Sequence, residues 1–164
     1  MTKFEPWTLV KNVNDLAAGD QVVIAASSYN YALSTTQNSN NRGQAVVTKN
    51  GETITFGNDV QVLTLQTGNV NGTLAFYTGN GYLHAASSSS NYLRTETTLS
   101  NNSSWTITIT NTGIATIKAQ GTYTKNWLRY NSSSSIFSCY SSGQGDVSIY
   151  LGLGNYNLAY FVVD

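Results

Sequence analysis

Charge is scarce in this chain. Of its 164 residues only 10% are charged, eight basic against eight acidic, so the formal net charge is zero. The basic field that nucleic-acid binding draws on is therefore missing, and no DNA or RNA partner is expected. His84, Cys139, Pro6 and Met1 are each the single residue of their type. One cysteine excludes an internal disulfide. In the alternating run 136–140, with no charged residue within six positions, Cys139 reads as a small packed apolar residue rather than a reactive thiol. One histidine and one cysteine are too few for a zinc site, no Asp-x-Asp-x-Asp calcium loop occurs, and no cofactor is expected. No apolar run reaches membrane-spanning length, so no membrane partner is expected. The spacing of three to four that marks an amphipathic helix is absent too, which predicts almost no helix. No secretory leader is legible, and Met1 is read as the start of a piece of a longer secreted protein.

What the chain does have is Asn, Ser, Thr, Gly and Tyr, threaded with short apolar runs, and an internal repeat. Gly81-Tyr82-Leu83-His84 is followed by Ala85-Ala86, four serines and Asn91-Tyr92-Leu93-Arg94. In 126–140, Asn126-Trp127-Leu128-Arg129 is followed by Tyr130-Asn131, four serines and Ile136-Phe137. Tyr82 aligns with Trp127, Leu83 with Leu128, His84 with Arg129 and Tyr92 with Phe137, and a weaker copy lies at Tyr31-Ala32-Leu33-Ser34. Repetition at this spacing marks an architecture of like units.

At 17.7 kDa the chain is read as one domain spanning 1–164. Four short strands per unit are predicted: 21–26, 31–36, 44–49 and 60–66; then 73–78, 82–86, 92–98 and 104–110; then 114–119, 126–131, 135–140 and 147–152. The units run approximately 21–66, 73–110 and 114–152, and the terminal segments 3–10 and 158–163 are expected to pair. Three four-stranded units point to an all-β, pseudo-threefold β-trefoil, with a β-sandwich as the alternative. Leu33, Leu83 and Leu128 should be equivalent core residues, and Val62, Ile107 and Ile149 a second such set. Trp105 alternates with Ile107 and Ile109 and belongs in the core, while Trp7 is expected to cover the barrel's open end.

Catalytic machinery is not legible. Asp15, Asp20, Asp59 and Asp146 sit beside Gly or Asn in turns, where carboxylates cap backbone amides. No facing carboxylate pair, no Gly-x-Ser-x-Gly elbow and no phosphate loop occurs. Arg94 and Glu96 share a strand face and read as a solvated pair. The expectation is a protein that is not an enzyme.

Binding chemistry is more visible. Sugars present hydroxyls for hydrogen bonds and C–H faces for aromatic stacking, and this chain carries eleven Tyr and three Trp among amide-rich neighbours. If Leu83 and Leu128 point inward, alternation turns Tyr82, His84, Trp127 and Arg129 outward. The candidate ligand residues are Trp127, Arg129 and Asn131 in unit three and Tyr82 with His84 in unit two. In unit one, where Ala32 replaces the aromatic, the pocket would be weak or rebuilt around Tyr29 and Tyr31, with Asn41 and Arg42 offering donors from the 37–43 loop.

These features resemble β-trefoil carbohydrate-binding modules and ricin-type lectin domains. Trp7-Thr8-Leu9-Val10, Leu16 to Asp20, Gln37 to Arg42, Leu128 to Asn131 and Phe137 to Tyr140 also resemble accessory domains near the C-termini of secreted modular hydrolases of gut and rumen bacteria. The ricin-type Gln-x-Trp triplet is absent: the equivalent positions read Gln61-Val62-Leu63, Thr106-Ile107-Thr108 and Ser148-Ile149-Tyr150. The resemblance implies a secreted, extracellular, monomeric module that holds a parent catalytic domain of the same chain on plant polysaccharide such as β-glucan, xylan or mannan. The competing readings are a protein-interaction or spacer domain and a trefoil protease inhibitor.

Overall fold

The computed structural model describes residues 6–152, an antiparallel all-β structure with single turns of 3₁₀ helix at Val13–Asp15 and Asn101–Ser103. A short N-terminal strand, β1 (Trp7–Leu9), precedes the first unit of β2 (Gln21–Ala26), β3 (Tyr31–Gln37), β4 (Arg42–Asn50), β5 (Thr53–Phe56) and β6 (Leu63–Thr67). The second unit is β7 (Leu74–Tyr77), β8 (Tyr82–Ala85), β9 (Leu93–Glu96) and β10 (Trp105–Ile109). The third is β11 (Ala115–Ala119), β12 (Trp127–Asn131), β13 (Ile136–Tyr140) and β14 (Val147–Leu151). The segment 158–163, expected to pair with the N-terminus, lies outside the described residues. The described partners of β1 are β14 and β5.

Six strands close into a ring in which β2 pairs with β6, β6 with β7, β7 with β10, β10 with β11, β11 with β14, and β14 with β2. The hairpins β3–β4, β8–β9 and β12–β13 hang from β2, β7 and β11. This is a β-trefoil. Its closed ring leaves no barrel edge for Asn- and Ser-rich strands to guard, which a sandwich of two open sheets would not achieve.

The repeat is written in the core. Leu33, Leu83 and Leu128 are all fully buried in one cluster. The second set differs from the expected one, because Val62 and Ile107 are only partly buried. The matching positions are the first residues of β6, β10 and β14: Leu63, Trp105 and Val147, each fully buried. Hairpin pairing makes one more correction. Leu83 lies opposite Thr95 and Ala85 opposite Leu93, as Leu128 lies opposite Cys139 and Tyr130 opposite Phe137. Leu93, not Tyr92, is therefore the counterpart of Phe137. Cys139 is fully buried, and that burial pushes its thiol pKa far up, as an apolar filler requires.

Unit one breaks the symmetry. Asn50-Gly51 turns the chain, with Gly51 at φ +59 in the left-handed region that favours glycine, and β5 folds back on β4 and onto β1. Strand β5 is an addition to the four strands expected in that unit. The layer β4–β5–β1 covers the outer face of β2 and β14, enclosing a second apolar cluster that includes Val23, Ala25, Val47, Ile54, Phe56 and Tyr150. Strand β2 is apolar on both faces for this reason: Val22, Ile24 and Ala26 enter the barrel core while Val23 and Ala25 enter the outer one. Trp7 belongs to this layer, with its ring 5.3 Å from that of Phe56, and does not lie over the barrel's open end.

Candidate functional site

The repeat positions match in strand but not in surroundings. Trp127 does lie on the face opposite Leu128, yet two cations hang over its ring: the Arg129 guanidinium at 4.1 Å and the Lys118 ammonium at 4.8 Å from the centroid. Lys118 reaches it because it is the residue directly opposite on β11. An indole engaged by two cations is a poor platform for a sugar face. Arg129 itself is 8% exposed, which overturns the expectation that it projects into water. Its Nε donates to Gly145 O and its Nη2 to Gln144 O and to Asp146 Oδ1 at 2.9 Å. The guanidinium thus fixes the 141–146 loop, and Asn131 Oδ1 accepts from Ser134 N to shape the four-serine turn.

In unit two, Tyr82 leans on Tyr77 with centroids 5.2 Å apart and donates its hydroxyl to Gln66 Oε1. His84 Nδ1 lies 2.7 Å from Glu96 Oε2, which also accepts from Ser100 Oγ. The Arg94–Glu96 pair is not formed. Arg94 covers the Tyr92 ring and donates to Asn40 Oδ1 and Ser39 O. Burial lowers the His84 pKa below its ordinary 6.5; Glu96 opposes the shift and Arg94 adds to it. The neutral ring therefore donates to the carboxylate near pH 7. A depressed folded-state pKa means that the unfolded chain takes up this proton first, so the contribution is whole above pH 6.5 and is lost as pH falls through the folded value. The expected outcome is a melting temperature, followed by far-UV circular dichroism, that drops on acidification below pH 6.5 and drops less in His84→Gln. Equal slopes for the two proteins would contradict it.

The unit-one loop spends its donors internally. Asn38 N and Gln37 Nε2 donate to Asn41 O, Asn38 Nδ2 donates to Asn41 Oδ1, and Gln37 Nε2 also reaches Leu93 O. Leu93 N returns to Asn40 O, docking the loop on β9. Arg42 is 3% exposed and donates Nη2 to Gln61 Oε1. Burial without a carboxylate partner lowers its pKa to about 10. Asn41 and Arg42 are framework residues, contrary to the expectation that they reach a ligand.

The surface around Tyr29 and Tyr31 in unit one is open to water. Tyr29 and Val46, at 44% and 64% exposure, are two of the three exposed large apolar side chains among the described residues; the third is Tyr123. A shallow depression of about 330 Å³ is lined by Ser28, Tyr29, Asn30, Tyr31 and Val46. A second, of about 260 Å³, shares Val46 and continues over Thr48, Thr55, Phe56 and Gly57. Tyr31 lies directly opposite Val46 across β3–β4, and Thr48 opposite Thr55 across β4–β5.

The aromatic floor is braced from unit three. Tyr130 has its ring 5.3 Å from Tyr29 and 6.4 Å from Tyr31, and its hydroxyl donates to Gln44 Oε1 at 2.5 Å. Burial raises the Tyr130 pKa, with Tyr31 and then Tyr29 adding to it, so the phenol stays a donor. The turn carrying Tyr29 is fixed from several sides. Lys49 Nζ donates to Ala26 O and Ser27 O, Val47 N donates to Asn30 O, Ser27 N donates to Asp146 O, and the Ser27 and Ser148 hydroxyls are 2.7 Å apart. A platform held this way loses little entropy when a ligand settles on it.

No protein-family model matches this chain, and no curated protein sequence matches it. Solved structures do. The BEL β-trefoil is 13% identical at a TM-score of 0.62, the match covering 87% of this chain and 100% of that one. A GH43 β-1,3-galactosidase is 11% identical at 0.61, covering 88% of this chain and 29% of that one. The Polyporus squamosus lectin, bound to the epitope Neu5Acα2-6Galβ1-4GlcNAc, is 12% identical at 0.55, covering 82% and 49%. The chain thus spans under a third of the galactosidase and the whole of the BEL trefoil. At these identities the likeness establishes the fold.

Proposed function

We propose that this protein is a non-catalytic carbohydrate-binding module whose sugar site is the Tyr29–Tyr31–Val46 groove of unit one. The observation that carries the reading is an exposed, rigidly braced aromatic and apolar surface rimmed by Ser28 and Asn30. It supplies the two things a pyranose asks for: a ring to meet C–H groups, and neutral hydrogen-bonding groups beside it. Structural likeness to a lectin that holds a saccharide, and to part of a β-1,3-galactosidase, supports the same reading. In its fuller form the module is secreted and holds a parent hydrolase on plant polysaccharide such as β-glucan, xylan or mannan. Affinity is modest, because stacking and neutral hydrogen bonds each contribute about 1 kcal/mol net.

Affinity electrophoresis on glucan, xylan and mannan gels tests this. The expected result is retardation of the wild type in at least one gel and equal retardation of Trp127→Ala, whose ring carries cations instead of facing the groove. Free migration of the wild type in every gel would favour the protein-interaction reading. Loss of retardation in Trp127→Ala would return the site to unit three.

A further inference from the structure

The groove's shape and chemistry go beyond the presence of a sugar site. Strands β3, β4 and β5 lie side by side, so the outward strip from Tyr31 through Val46 to Thr55 crosses three strands. At about 4.8 Å between neighbouring strands the strip is about 10 Å across, longer than one pyranose ring. Its two depressions meet at Val46, and both are shallow and open. None of the lining residues of either depression is charged. The nearby cation, Lys49, is turned inward and bound to two backbone carbonyls. The second depression is built partly on β5, a strand with no counterpart in units two and three among the described residues.

We infer that the strip binds a neutral glycan along an internal stretch of chain, at least two sugar residues at once, with Val46 beneath the linkage between them. The inference rests on the reading of this groove as a sugar site. A closed pocket would select one terminal sugar, and a carboxylated or sulfated glycan would find no cation to meet it here. Tyr29 and Tyr31 form the aromatic end, and Thr48 and Thr55 present hydroxyls and methyls at the other.

Calorimetric titration of the full chain with cello-, xylo- and manno-oligosaccharides, from monosaccharide to hexasaccharide and with oligogalacturonides as charged counterparts, tests it. On at least one neutral series affinity should rise about tenfold from the monosaccharide to the trisaccharide and then level off, the gain that one or two added neutral contacts supply. Thr48→Ala combined with Thr55→Ala, which removes the hydroxyls and methyls lining the second depression, should abolish that rise. In methyl spectra of the wild type, the trisaccharide should move the Thr48 and Thr55 signals together with those of Val46. Affinity independent of length, with Thr55 unmoved, would overturn extended occupancy while leaving the sugar site at Tyr29 standing. Tighter binding of oligogalacturonides would overturn the neutral selectivity. No binding in any series would overturn the proposed function and this inference with it.

Discussion

Tyr29→Ala should lower affinity for the proposed neutral glycan by about tenfold or more while the fold stays intact. The ring is 44% exposed and lines the larger depression, so truncation removes the open area on which the proposed ligand would rest. An aromatic stack contributes about 0.5–1.5 kcal/mol beyond its buried area, and a central aromatic in a binding surface commonly costs more than that when cut to alanine. Tyr29 also packs on the Tyr130 ring, and losing that aromatic pair should cost about 0.5–1.5 kcal/mol of stability. Tyr29→Phe separates the ring from its hydroxyl and should keep most of the affinity. Tyr31→Ala is less clean, because Tyr31 also packs against the barrel core. Tyr123 is exposed but lines neither depression, and Tyr123→Ala should bind as the wild type does. Calorimetry on one responsive oligosaccharide measures all of these. A Tyr29→Ala protein that binds normally removes the groove as the site.

The architecture was legible because burial leaves a period in the sequence. Leu33, Leu83 and Leu128 carry the trefoil's threefold pattern openly, and each hairpin strand predicted in units two and three forms within a few residues of its expected place. The added strand β5 has a signal in the sequence as well: Asn50-Gly51 is a hairpin turn, and Thr53-Ile54-Thr55-Phe56 alternates. Four strands per unit leave no place for it, nor for the outer layer that makes half of the groove. The missing aromatic at Ala32 points to Tyr29 and Tyr31, and of the two Tyr29 is the exposed ring.

The misplaced site residues share one physical cause. Alternation tells which way a side chain leaves its strand, not what lies over it. Trp127 leaves β12 on the predicted face and meets Lys118, a partner set by strand register that no local pattern reveals. Arginines read as donors, but Arg129 and Arg42 direct their donors to a loop and to Gln61 within the protein. Long cationic side chains can settle inward along apolar surface, and only packing decides it.

Trp105→Ala should cost about 3–5 kcal/mol, the largest loss expected from any single truncation in this barrel. Trp105 is fully buried at the head of β10, where it lies opposite Ala119 on β11 and opposite Leu74 on β7. That last pairing is the only register contact between β7 and β10, so the ring sits at the seam that closes the barrel. Its Nε1 donates to Leu83 O at 3.1 Å, tying the seam to the β8–β9 hairpin, and its face leans on Phe76 with centroids 6.0 Å apart. Neighbours anchored in a closed ring cannot collapse into the space, and the cavity keeps its full cost. For a domain of this size each kcal/mol moves the melting temperature by about 2–4 °C, so the variant should melt on the order of 10 °C lower. Trp105→Phe keeps most of the volume but removes the indole donor, and should cost about 1–3 kcal/mol. Thermal unfolding by far-UV circular dichroism measures both. A Trp105→Ala protein that melts within about 2 °C of the wild type would mean that the seam closes without the ring, and that strand pairing alone holds β7 to β10.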